Sequence, residues 1–159
     1  MKIVLLYGGL SKEREVSIDT AKSIYKSVKD DCLVEMVDFN GNYDRLLDQL
    51  NSSNPTLVFN ALHGGDGENG TIQKFLDINK FNYTGSDEAA SRIAMDKHQS
   101  KIICKNHEIP TPDWDYFDLS KDKITSNTIR KIMNDYKNTG CVVKPSVEGS
   151  SIGMTIINK

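Results

Sequence analysis

The sequence predicts an α/β fold: a parallel sheet with flanking helices over most of the chain, then a smaller unit of mixed elements. Three observations predict it. Short apolar runs alternate with helix-periodic segments, the pattern of a parallel sheet with crossover helices. Two glycine-rich stretches, Gly8-Gly9 and His63-Gly-Gly-Asp-Gly-Glu-Asn-Gly70, directly follow strand-like runs. Near the end, Cys141-Val-Val-Lys-Pro-Ser-Val-Glu-Gly-Ser-Ser-Ile-Gly-Met-Thr-Ile-Ile157 reads as a buried strand, a lysine, a Gly/Ser turn and a second strand.

Lys2 to Tyr7 is nearly continuously apolar, as expected of a central parallel strand buried on both faces. The polar run Ser11 to Glu15 leads into a helix from about Ser17 to Val28, with Ile18, Ala21, Ile24, Tyr25 and Val28 at helical spacing. Cys32 to Phe39 alternates as a second strand, and Tyr43 to Leu50 is a short amphipathic helix. Thr56 to Leu62 is a third strand, Thr71 to Ile78 a helix and Phe81 to Gly85 a fourth strand. Ligands in such sheets bind beyond the carboxyl ends of the strands, where both glycine-rich stretches sit. Ser86 to Ala94 is a helix capped by Ser86, and Asp96 to His107 another, ended by Ile109-Pro-Thr-Pro112. A soft boundary falls between Gly85 and Pro112. A strand near Trp114 to Leu119, a helix near Thr125 to Tyr136 and the hairpin complete the chain. Its second unit has too few elements to cover a sheet, so a fragment of a longer chain is expected.

At 159 residues the chain can bury a real core. Its formal net charge of −2, with acids and bases interspersed, gives no electrostatic case for nucleic acid or an anionic membrane. The apolar run at the N-terminus is too short for a signal peptide. Cys32, Cys104 and Cys141 are odd in number and in apolar surroundings, so they read as reduced, buried residues of a cytosolic protein.

In the hairpin, Gly149 and Gly153 allow positive φ, and Ser150 and Ser151 add hydroxyls. Such a turn aims several N–H groups at one space, which suits an anion, and Lys144 adds a charge there. Gly149-Ser-Ser-Ile-Gly153 formally matches a hydrolase nucleophile elbow with Ser151 as nucleophile. The elbow needs a helix after the serine and a later histidine, whereas Met154 to Ile157 is strand-like and the last histidine is His107. Gly8-Gly9 with Asp38 lacks the dinucleotide-binding spacing. Cys104 and His107 share a helical face, but no second pair has zinc-like spacing, so no metal ligand is assigned. His98 reads as a polar residue on a charged helix. His63 is distinguished by opening a glycine-rich loop at a strand end. Glu15, Lys97 and Lys144 each have an ordinary surface reading, weakest for Lys144 between Val-Val and Pro145.

Together, in this order, the stretches Tyr7 to Ser17, Leu62 to Gln73, Tyr83 to Ser86, Met95 to Lys97 and Val143 to Met154 resemble the D-alanine–D-alanine ligase family of the ATP-grasp enzymes. Asn69 departs from the aspartate usual there. The resemblance implies a Rossmann-like parallel-sheet amino-terminal (pre-ATP-grasp) domain over 1–95, followed by an incomplete ATP-grasp domain over 96–159. It implies that ATP phosphorylates the carboxylate of one D-alanine and that the amine of a second attacks the acylphosphate. D-alanyl-D-alanine, ADP and phosphate result, serving peptidoglycan synthesis and hence cell-wall biogenesis and cell shape. Glu15 then holds the ammonium of the first D-alanine, Ser150 closes that subsite and His63 lies beside the reacting carboxylate. Lys97 and Lys144 contact ATP phosphates, under a loop of Glu148, Gly149, Ser150, Ser151 and Gly153. Mg²⁺ is implied as cofactor, with its ligands beyond the end of this chain, so the chain alone is expected to be inactive. A homodimer through the amino-terminal domain and a cytoplasmic location are also implied. The alternatives are a non-catalytic binding or dimerisation module and a relative using D-lactate or D-serine.

Overall fold

Strand β1 (Lys2–Gly8) is the middle of a three-stranded parallel sheet of order β2-β1-β3, with β2 at Leu33–Phe39 and β3 at Leu57–Asn60. This computed structural model describes residues 1–158; Lys159, the end of the predicted second domain, lies outside them. The chain divides into two units, Met1–Met95 and Asp96–Lys159.

In the first unit, alternate side chains of β1 serve two cores, as strand geometry requires. Val4 and Leu6 pack with Val37, Phe39 and Val58, with Leu46 and Leu50 of α2 (Tyr43–Ser53) and with Ile72 and Leu76 of α3 (Thr71–Ile78). Leu5 packs on the other face with Ala61 and with Ala21 of α1 (Arg14–Val28). Both faces of β1 are covered, as its unbroken apolar run predicts. Helix α1 starts three residues before the predicted Ser17, within the polar run.

The predicted fourth strand is not one. Residues 81–85 make an isolated parallel bridge, Val58 to Tyr83, with Val58 N–H donating to Asn82 C=O (2.8 Å) and Thr84 N–H to Val58 C=O (3.1 Å). The ladder stops there because the next donor, Asn60 N–H, is taken by the Thr84 hydroxyl (3.0 Å) instead of a backbone carbonyl. Helix α4 (Glu88–Met95) is capped by Asp87, which accepts Ala90 N–H at 2.8 Å, and not by Ser86.

The second unit holds α5 (Lys97–Asn106), α6 (Ser126–Asp135) and a two-stranded antiparallel hairpin, β4 (Cys141–Val143) with β5 (Thr155–Ile157). Thr125 and Thr128 close α6 with reciprocal caps, hydroxyl to backbone in both directions. The predicted strand at 114–119 is irregular; its aromatic side chains pack on α5, where Trp114 Nε1–H donates to His98 Nδ1 (3.0 Å) and Tyr116 stacks on His98 at 4.0 Å. His98 is therefore the docking point of this segment, more than the surface residue expected. Strand β4 is not buried as predicted: Val142 and Val143 are 49% and 53% exposed, because the hairpin is paired along its edge and uncovered on its faces. Cys32, Cys104 and Cys141 are free thiols but only half-buried, which corrects their expected full burial. No helix among the described residues is long and apolar enough to cross a membrane.

Candidate functional site

At the carboxyl end of β1 the chain turns through Gly8 and Gly9, both in the left-handed region at φ +93° and +82°. A Cβ on Gly8 would lie 2.2 Å from Asp38 Oδ1 and 2.4 Å from Arg14 Nη1, so only glycine fits. That pair is an ion pair at 2.6 Å, which commits Asp38 to Arg14 and not to a ribose. Arg14 also donates to Gly9 C=O (3.2 Å), and so ties the turn to the start of α1. Ser17, fully buried one turn on, accepts Gly8 N–H at 2.9 Å and donates to Ala61 C=O at 2.6 Å. One hydroxyl thereby fixes α1 against the ends of β1 and β3. Glu15 is carried, exposed, in the first turn of that helix.

The second glycine-rich loop is anchored from below. Asn60 Nδ2 and Gln73 Nε2 both donate to Gly67 C=O at 2.9 Å, and Tyr43 donates to Asp66 Oδ2 at 2.8 Å. Burial, helped by the neighbouring Asp66 carboxylate, holds the Tyr43 phenol protonated well above its ordinary range. His63, at the head of the loop, is 3.0 Å through Nε2 from the Thr20 hydroxyl, and its Nδ1 is 3.9 Å from Glu68 Oε1. Its carbonyl accepts the Ser11 hydroxyl at 2.5 Å. His63 is thus fastened to the helix that carries Glu15. A partly buried imidazole between a hydroxyl and a carboxylate can donate a ring N–H to a further acceptor such as a carboxylate.

In the second unit the turn after β4 has a backbone the sequence did not announce. Gly149 is not in the left-handed region; Ser150 (φ +48°) and Ser151 (φ +61°) are, followed by Gly153 (φ +69°). Ile152 N–H donates to Gly149 C=O (3.0 Å), which with two positive φ values at the central residues has the pattern of a type I′ turn. Met154 N–H to Ser151 C=O (3.3 Å) closes a second turn with Gly153 inside it. Non-glycine residues avoid this region, and such strain collects at binding sites. Among the described residues the N–H groups of Gly149, Ser150 and Ser151 have no protein acceptor. Successive open donors in a concave turn, with exposed Lys144 just upstream, fit an anion such as a phosphate chain.

Lys97 and Glu148 are brought together: the Lys97 ammonium donates to the carbonyls of Glu148 and of Ser146 (3.3 Å). Asp96 caps α5 and accepts the Ser146 hydroxyl at 2.7 Å. Burial raises the Asp96 carboxyl, but the hydrogen bonds from Ser146 and from the Gln99 and His98 backbones outweigh it and hold it below its ordinary value. Sequence reading missed Arg14, Ser17, Thr20, Asp96 and Ser146. Only Asp96 had a signal, an aspartate opening a helix. Among the described residues no group of three or more His, Cys, Asp or Glu could hold a metal ion, so Mg²⁺ is not fitted by these side chains.

No protein-family model matches the chain. It is 39% identical over 158 residues to the D-alanine–D-alanine ligase of Aquifex aeolicus and 41% identical over 159 residues to that of Pelagibacter ubique, matching 99% of this chain and 50% of each relative. The crystal structure of the Bacillus anthracis D-alanine–D-alanine ligase superposes on the whole chain with a TM-score of 0.83 at 31% identity, covering 50% of that chain. The same protein complexed with ATP gives 0.81 at 29% identity. Over nearly its whole length the chain is similar to D-alanine–D-alanine ligases, and it spans about half the length of the curated relatives it matches.

Proposed function

We propose that this chain carries substrate- and nucleotide-holding parts of an ATP-dependent D-alanine–D-alanine ligase acting in peptidoglycan precursor synthesis in the cytoplasm. The reading is supported most by the turn at 149–153, whose left-handed serines leave a row of N–H groups unused five residues after Lys144. ATP, when bound, supplies the phosphoryl group that activates a carboxylate. Lys144 and the N–H groups of Gly149, Ser150 and Ser151 neutralise and orient the phosphates, with Lys97 and Glu148 ordering that loop. Glu15 pairs with the ammonium of the first D-alanine, an interaction its exposed position leaves open. His63, held by Thr20, steadies the D-alanine carboxylate as its oxygen takes the terminal phosphoryl and ADP leaves. The amine of the second D-alanine then forms the peptide bond and phosphate departs. The work of these residues is positioning and charge stabilisation.

Mg²⁺, where turnover needs it, would take donors other than the described residues. The domain assignment, 1–95 as substrate-side α/β domain and 96–159 as part of an ATP-grasp domain, belongs to the proposal. So does a homodimer through the first unit, which sedimentation velocity tests.

Calorimetric titration checks the central reading. ATP is expected to bind saturably, and Lys144→Ala to weaken it about tenfold, as for the loss of a charged hydrogen bond. D-alanine is expected to bind in preference to L-alanine, and Glu15→Gln to abolish that binding. Equal ATP binding by the unaltered chain and Lys144→Ala would overturn the phosphate assignment. The chain alone is expected to release no ADP in a coupled assay with ATP, Mg²⁺ and D-alanine.

A further inference from the structure

The hydrogen bonds that hold the approach to the 149–153 turn converge on a carboxylate that the proposed chemistry leaves unused. Asp96 Oδ1 accepts three donors: His98 N–H (2.9 Å), Gln99 N–H (3.2 Å) and the Ser146 hydroxyl (2.7 Å). The first two are an ordinary helix cap. The third reaches 50 residues along the chain, to a side chain that no helix end requires. The neighbouring lysine adds to it from the backbone side. Lys97 N–H donates to Ser146 C=O at 3.0 Å, and Lys97 Nζ to that carbonyl at 3.3 Å and to Glu148 C=O. Residues 144–154 contain no helix or strand, so little else restrains them.

We infer that Asp96 is a positioning residue for the phosphate-facing turn, acting through the Ser146 hydroxyl; the inference builds on the nucleotide reading above. A hydroxyl donating to a carboxylate is a charge-assisted bond, about twice as strong as a neutral one. It holds Ser146 at the base of the segment, so the turn meets its ligand already shaped and less ordering entropy is lost on binding. Removing the Ser146 hydroxyl leaves the α5 cap intact. Latch and cap can therefore be separated by one atom.

The experiment uses the full 159-residue chain. Backbone ¹⁵N order parameters are measured without ligand for the unaltered chain, Ser146→Ala and Ser146→Thr. Residues 148–152 are expected near 0.8 in the unaltered chain, below about 0.6 in Ser146→Ala and restored in Ser146→Thr, with α5 unchanged throughout. Unchanged order in Ser146→Ala, or loosening of α5 together with the turn, overturns the inference and leaves Asp96 a cap alone. ATP titration is the second arm: Ser146→Ala is expected to raise Kd about fivefold, and to add nothing further in an Asp96→Ala background, where the hydroxyl has already lost its acceptor. Additive losses overturn the coupling. Failure of the unaltered chain to bind ATP would instead overturn the nucleotide reading, while the order parameters still decide whether the latch exists.

Discussion

The two units hold their candidate residues by different means. In Met1–Met95 the glycine-rich loops rise from a core whose Val4, Leu5, Leu6, Leu50, Val58, Ile72 and Leu76 are wholly shielded from solvent. In the second unit no described residue is fully buried, and the approach to the turn at 149–153 is held by hydrogen bonds, from Ser146 to Asp96 and from Lys97 to the Ser146 and Glu148 carbonyls. Packing is cooperative and indifferent to any one polar group, whereas a hydrogen-bonded loop depends on each of its partners. The first unit thus gives its histidine and glutamate a rigid base. The second offers a turn that single atoms can tighten or release.

The sharpest test of that contrast is truncation of apolar side chains. Leu5→Ala or Leu76→Ala should cost about 3 kcal/mol in urea unfolding, from lost burial and the cavity left. Val142→Ala, on an exposed strand, should cost less than about 0.5 kcal/mol. Equal losses would break the comparison.

Polar groups come next. Ser17→Ala strands the Gly8 N–H and the Ala61 C=O in a buried place, and about 2 kcal/mol should be lost in the same assay. Ser151→Gly should do the reverse, since glycine accepts φ +61° without its Cβ penalty. A gain of about 1 kcal/mol in the second unit's stability is expected. A fall in its midpoint would show the turn to be unstrained.

Smallest is an effect of pH. The Asp96 carboxyl titrates lower in the folded chain than in the unfolded one, so its stabilisation is complete above the ordinary carboxylate range. It fades as pH drops through the folded value. The melting temperature of the second unit should therefore decline on acidification less steeply in Asp96→Asn than in the unaltered chain, and parallel curves would remove Asp96 from the account.

Much of the first unit was legible because its signals are periodic. The apolar run of β1 announced a central strand, and the Thr71–Ile78 helix has the predicted bounds. The missing fourth strand turned on a single hydroxyl, Thr84, occupying the donor that pairing needed, and no pattern of hydrophobicity encodes that. Likewise the glycines of the hairpin marked a turn, yet the left-handed positions fell mostly on the serines between them. His63 and Lys144 could be nominated from their places beside strand ends and glycines, and Glu15 only through the family resemblance. Thr20 and Ser146 could not, since their importance lies in partners 43 and 50 residues away.

Trp114, the chain's one tryptophan, donates its indole N–H to His98 in the second unit. Its emission is therefore a private optical channel for that unit. Far-ultraviolet dichroism, by contrast, sums over the helices of both units. Comparing the two traces in one melt would tell whether the halves come apart together or in turn, with no label added.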